Sequence, residues 1–114
     1  MKRDYRVYLD DILESITLIE SYTDKISQDK FLNSIETQDA VIRRLEIIGI
    51  AVKHIPEEIK NKSPKVPWNN IVGARNIFAH EYFGVQLDRV WDSIVNDLPS
   101  LKEQIRELLK ESDQ

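Results

Sequence analysis

The 114-residue chain is long enough for one domain with a real core, yet short enough that a second copy would help to bury its surface. Hydrophobic residues make up 41% and charged residues 32%, with three glycines and four prolines, a balance that suits a soluble helical bundle better than a sheet or a disordered tail. No cysteine is present, which rules out disulfide frameworks, zinc ribbons and thiol nucleophiles, and a net charge of -4 means that any nucleic acid must be held by a local basic patch.

Tyr5, Tyr8, Leu9, Ile12, Ile16, Ile19 and Tyr22 recur at steps of three and four, with Asp10, Asp11, Glu14 and Glu20 off that stripe. The spacing predicts a long amphipathic helix over residues 3–23. This start leads straight into an amphipathic pattern without an uninterrupted apolar segment, and no run is long enough to cross a bilayer, so the expected location is cytoplasmic, with no membrane partner. Polar residues from Thr23 to Ser27 interrupt the stripe, which Phe31, Ile35, Val41, Ile42, Leu45, Ile48 and Val52 resume. A second long helix is expected to run to about Ile55. On it, Asp39, Arg43 and Glu46 share one face, either as a surface ion-pair ladder or as a stripe facing a site or partner.

Pro56 ends that helix or opens a short turn with Glu57, Glu58 and Ile59. Residues 60–66 form a linker too short to separate domains, so residues 1–114 are read as one domain. Lys60, Lys62 and Lys65 cluster there, and Arg43, Arg44 and Lys53 form a second basic group; such runs are ordinarily solvated faces. Pro67 suits a first helical position, and Trp68, Ile71, Val72, Ala74 and Phe78 give a third apolar face that Gly84 is placed to terminate. Leu87, Trp91, Ile94, Leu98, Leu101, Ile105 and Leu108 predict two helical pieces kinked at Pro99. Trp68 and Trp91 lie on apolar stripes and are expected to anchor the core. The architecture that buries these stripes is an all-α antiparallel helical bundle.

Chemistry concentrates in residues 75–84, which gather Arg75, His80 and Tyr82. Arginine is a permanently charged fork suited to phosphate, and histidine exchanges protons near neutral pH. Together they suffice for RNA cleavage without a metal, because the neighbouring ribose 2'-OH supplies the nucleophile. On an ideal helix a five-residue spacing turns Arg75 and His80 about 140° apart, so they converge only if the helix bends or ends, or if a second subunit completes the site. A helix-capping histidine accounts for His80 equally well, and His54, near the end of the second helix, is read as structural. Tyr82, taken alone, could be a half-buried aromatic closing the helix. Neither histidine has acidic neighbours at metal-ligand spacing, and no Gly-rich phosphate loop appears, so no metal and no cofactor is expected.

Arg75-Asn76-x-x-x-His80-x-Tyr82 resembles the Arg-x4-His-x-Tyr signature of the HEPN superfamily, and the surrounding sequence is similar to its HepT toxin branch. Arg44-Leu45-Glu46-Ile47-Ile48-Gly49, Pro67-Trp68, Tyr82-Phe83-Gly84-Val85, Val90-Trp91 and Asp97-Leu98-Pro99 carry that likeness along nearly the whole chain. The resemblance implies a HEPN-like helical domain that forms a two-fold homodimer, with paired motifs lining a cleft that acts as a metal-independent endoribonuclease on RNA. Arg75 and His80 carry over as catalytic residues and Asn76 as a supporting one. It further implies a type VII-like toxin–antitoxin pair, in which an MntA-like minimal nucleotidyltransferase antitoxin silences the toxin by transferring AMP from ATP to Tyr82. The alternative is a non-catalytic HEPN module that presents substrate to, or regulates, such a transferase. One departure is Ile50, where sequences of this type often carry glutamate; it extends the stripe of Asp39, Arg43 and Glu46.

Overall fold

The computed structural model describes residues 4–72 and 86–112. Among them every regular element is helical: α1 (Tyr5–Thr23), α2 (Gln28–Leu32), α3 (Ile35–Lys53), α4 (Glu57–Lys60), a helix α5 described over residues 68–72, α6 (Leu87–Asn96) and α7 (Leu98–Ser112). The all-α expectation is met.

α1, α2 and α3 each start where a side chain satisfies a backbone donor that a helix leaves open at its first turn. Asp4 accepts from the Arg6 amide at 2.9 Å, and hydrogen bonds from Arg6, the side-chain one foremost, hold the Asp4 carboxyl below its ordinary value. Ser27 accepts from Lys30 at 3.1 Å to open α2, and Ser34 accepts from Thr37 at 3.3 Å to open α3. After α1 the chain turns through Lys25, whose φ of 66° lies in the left-handed region that commonly follows a helix C-cap.

The second helix is therefore shorter than the apolar stripe suggests. The expected single helix reaching Ile55 is divided, because Asn33 and Ser34 end α2 and recap the chain before Ile35. Ile35, expected on the buried stripe, is 70% exposed. Gln38 bridges the break: it is buried and its Nε2 donates to the carbonyls of Phe31 (2.9 Å) and Leu32 (3.1 Å), giving carbonyls at the end of α2 partners inside the protein. At the other end α3 stops at Lys53, with His54 as its C-cap, and Pro56 serves as N-cap of α4.

The expected kink at Pro99 also moves. α6 ends at Asn96, Asp97 joins the two helices, and Pro99 occupies the first turn of α7, where its missing N–H costs no helical bond.

Two contacts fix α1 antiparallel to α7. The Lys102 ammonium lies 2.7 Å from Glu20 at one end, and the Tyr5 hydroxyl donates to Ser112 Oγ at 2.7 Å at the other. Tyr8, near the start of α1, stacks on His54 at the end of α3 with ring centroids 4.8 Å apart, so α1 is antiparallel to α3 as well. Leu9, Ile12, Ile16 and Ile19 are wholly buried along α1 and belong to one apolar cluster with Val41, Ile48 and Val52 of α3 and Leu101, Ile105 and Leu108 of α7. Phe31 of α2 is fully buried and meets the half-buried Trp91 of α6 at 5.3 Å, tying the short elements to that core. Ser15, also buried on α1, has a hydroxyl without a hydrogen-bond partner among the described residues.

Gln38→Ala is expected to lower the stability by about 1–3 kcal/mol, since the partly buried Leu32 carbonyl loses its side-chain partner. Urea unfolding measures this, and an unchanged midpoint would show that water replaces the amide at no cost.

Candidate active site

Arg75, Asn76, His80 and Tyr82 lie outside the described residues, as does Gly84. What is described is the frame from which the chain enters and leaves that segment. It enters through α5, whose first residue, Trp68, is buried. The indole Nε1 donates to the carbonyls of Lys60 and Ser63, each at 3.2 Å, so a single side chain closes the loop that precedes the helix. Ser63, itself buried, donates its hydroxyl to Gln104 Oε1 at 2.6 Å and pins the loop to α7. Ile71 and Val72 on the entering side, and Leu87 on the returning side, pack against the main core. Trp68 is thus a core anchor, as its stripe position predicted, and it also sets where α5 begins.

Beside α5 is a cavity of about 670 Å³. Leu45 and Ile48 of α3, Ile71 of α5 and Leu98 and Leu101 of α7 supply its apolar lining, and Asn70, Ser93, Asn96, Asp97 and Gln104 supply polar groups. It lies between α3, the start of α5 and the α6–α7 junction. No periodicity in the sequence marks it, because its walls come from four elements and are brought together by their packing.

The polar stripe on α3 is exposed at Asp39 and Arg43, half-buried at Glu46, and exposed again at Ile50 (38%). Arg43 reaches Glu46 at 3.4 Å with 65% of its side chain exposed, a solvent-facing pair of the kind worth only a few tenths of a kcal/mol. His54 is exposed and its ring lies nearly parallel to Tyr8, at 18°, which agrees with its structural reading. Among the described residues no group of three or more histidines and carboxylates is arranged to hold a metal ion, and no helix is long and apolar enough to cross a membrane.

The described residues form a helical bundle, and comparison with known proteins names its class. A family model described as ribonuclease HepT-like matches residues 12–108, and the chain belongs to that family. A Methanocaldococcus jannaschii protein named as a gamma-glutamylcyclotransferase and, provisionally, an RNase is 45% identical over 113 residues, covering 99% of this chain but 51% of its own. A second protein of that organism, provisionally named an RNase, is 42% identical over 110 residues, covering 96% of this chain and 91% of its own. A "Probable ribonuclease HepT" of Thermococcus cleftensis is 44% identical over 110 residues, covering 96% of this chain and all of its own. The chain therefore spans about half the length of the first relative and nearly the whole of the other two. No solved structure matches it significantly.

Trp68→Phe keeps an aromatic ring in the core but removes the donor to Lys60 and Ser63. Both carbonyls keep a backbone donor, from Ser63 and Val66 respectively, and the indole has one N–H to share between them, so the expected loss is that of a single net hydrogen bond, about 0.5–1.5 kcal/mol in chemical denaturation. A variant as stable as the parent would mean that the indole contributes shape alone.

Proposed function

We propose that the chain is a metal-independent endoribonuclease toxin of a type VII-like toxin–antitoxin system, a single HEPN domain over residues 1–114 that works in the cytoplasm as a homodimer. The observation that carries this reading is the family match over residues 12–108, which takes in Arg75, Asn76, His80 and Tyr82. The names of its relatives, provisional or probable RNases, support it.

In this mechanism His80 removes the proton from a ribose 2'-OH, or delivers one to the leaving 5'-oxygen. The 2'-oxygen forms a bond to phosphorus and the bond to the 5'-oxygen breaks, leaving a 2',3'-cyclic phosphate and a 5'-hydroxyl. Arg75 stabilises the charge that builds on the non-bridging oxygens, and Asn76 supports their orientation. Because Arg75 and His80 fall on different faces of an ideal helix, two motifs brought together by a two-fold axis would complete one cleft.

Control falls to Tyr82. A partner nucleotidyltransferase would join its phenolic oxygen to the α-phosphorus of ATP and release pyrophosphate. The attached AMP adds bulk and negative charge beside Arg75, where the RNA phosphate must sit.

Purified chain is expected to cut RNA in the presence of a chelator and to leave cyclic phosphate ends, with Arg75→Ala and His80→Ala each slowing cleavage about 100- to 10,000-fold. A strict requirement for added metal would sink the mechanism, and variants as active as the parent would remove these two residues from it. Incubation with the transferase and ATP is expected to add AMP masses to the chain but none to Tyr82→Phe; equal modification of that variant would move the acceptor elsewhere.

A further inference from the structure

The charge of this chain is unevenly distributed. From Ile59 to His80 the sequence holds Lys60, Lys62, Lys65 and Arg75 and no aspartate or glutamate, so this stretch carries +4 of a net -4 and the remainder carries -8. A polyanion approaching the molecule is therefore repelled by its net charge and drawn to this segment, which Glu57 and Glu58 border on one side and Glu81 on the other.

The described part of the segment has a shape to match. An open concavity of about 400 Å³ is lined by Lys60, Asn61, Asn69 and Asn70, with the Glu57 carboxylate at Lys60, and Asn70 also lines the larger cavity beside α5, as does Lys65. Asn61, Lys62, Lys65, Asn69 and Asn70 are exposed, whereas the Lys60 side chain is only 11% exposed. Its ammonium lies 3.8 Å from Glu57, a long pair with a carboxylate 82% exposed, which an incoming phosphate can displace. The loop is also held in place. Trp68 ties down the carbonyls of Lys60 and Ser63, Ser63 is bonded to Gln104, and the backbone closes turns from Lys62 to Ile59 and from Val66 to Ser63. Lysine stems on a fixed loop lose less freedom on binding than the same side chains on a mobile one.

We propose that Lys60, Lys62 and Lys65, with the amides of Asn61, Asn69 and Asn70, form a track for the sugar-phosphate backbone of single-stranded RNA that feeds the strand to Arg75. The lysines act as point charges on successive phosphates and the asparagines supply hydrogen bonds to phosphate or ribose, contacts that position a strand without reading its sequence. Whatever path residues 71–75 take, five residues span at most about 18 Å, so a strand held at Asn70 is within a few nucleotides of Arg75. This inference rests on the ribonuclease reading and adds to it the surface that holds the substrate.

The test is cleavage of a single-stranded RNA by the full chain carrying Lys60→Gln, Lys62→Gln and Lys65→Gln together. KM is expected to rise about tenfold or more with kcat little changed. The slope of log affinity against log salt should become shallower by about 0.7 per lost contact, about 2 for all three. Arginine at the same three positions should retain binding. Lys25→Gln, Lys30→Gln and Lys53→Gln together, the same change in net charge placed elsewhere, should leave KM and the salt slope near those of the parent. A parent chain that cuts RNA while the first triple variant matches it in KM and salt slope overturns the track and leaves the ribonuclease reading intact. So does an equal loss from both glutamine sets, or a first set that cuts normally but no longer binds the transferase, which would assign the surface to a protein. A parent chain inert toward RNA overturns the ribonuclease reading and this inference with it.

Discussion

The constraint on which the rest depends is the complete burial of one stripe of α1. Leu9, Ile12, Ile16 and Ile19 have no exposed surface, and each is worth about 1.5–3 kcal/mol when taken out of water. That stripe can be covered only if α3 lies on one side and α7 on the other, both antiparallel to α1. The polar contacts at the ends follow this arrangement: Glu20 with Lys102, Tyr5 with Ser112, and Tyr8 stacked on His54 register the helices that apolar burial has already brought together. Surface pairs of this kind are individually weak, so they choose among registers more than they hold the bundle together.

From this core the frame of the site is built outward. Residues 54–67 leave the end of α3, and a chain without long regular structure must satisfy its own carbonyls there. Trp68 does so with an indole donor shared by two carbonyls, and the Ser63 hydroxyl ties the loop to α7 by donating to the Gln104 side chain. The same bonds that satisfy the loop also fix the start of α5 and present three lysines on a defined surface. Packing and the placement of the basic loop thus depend on one set of hydrogen bonds.

Much of this was legible in the sequence because it obeys a local period. The stripe of α1, the polar turn after Thr23, the anchoring role of Trp68 and the apolar face of α6 and α7 all follow from spacing and from capping residues. The division of the second helix was harder to see. Phe31 and Ile35 fit one four-residue step, but Ser34 caps a new helix and Gln38 makes the break tolerable by bonding two carbonyls across it. A buried glutamine bridging two helices has no periodic signature. Pro99 was visible as a breaker, yet the break falls at Asp97 because a proline is accommodated in a helix's first turn.

The sequence by itself determined the helical class, the apolar faces, the family to which the chain belongs and the identity of the motif residues. Each of these is written in side-chain type and local spacing. Only the tertiary structure decided that α3 and α7 enclose α1, that walls from four elements enclose a cavity beside α5, and that Ser63 meets Gln104 across the bundle. The reason is physical: these contacts join residues far apart in the chain, and they are chosen by how several amphipathic helices bury their stripes at once, a choice that no single stretch of sequence contains.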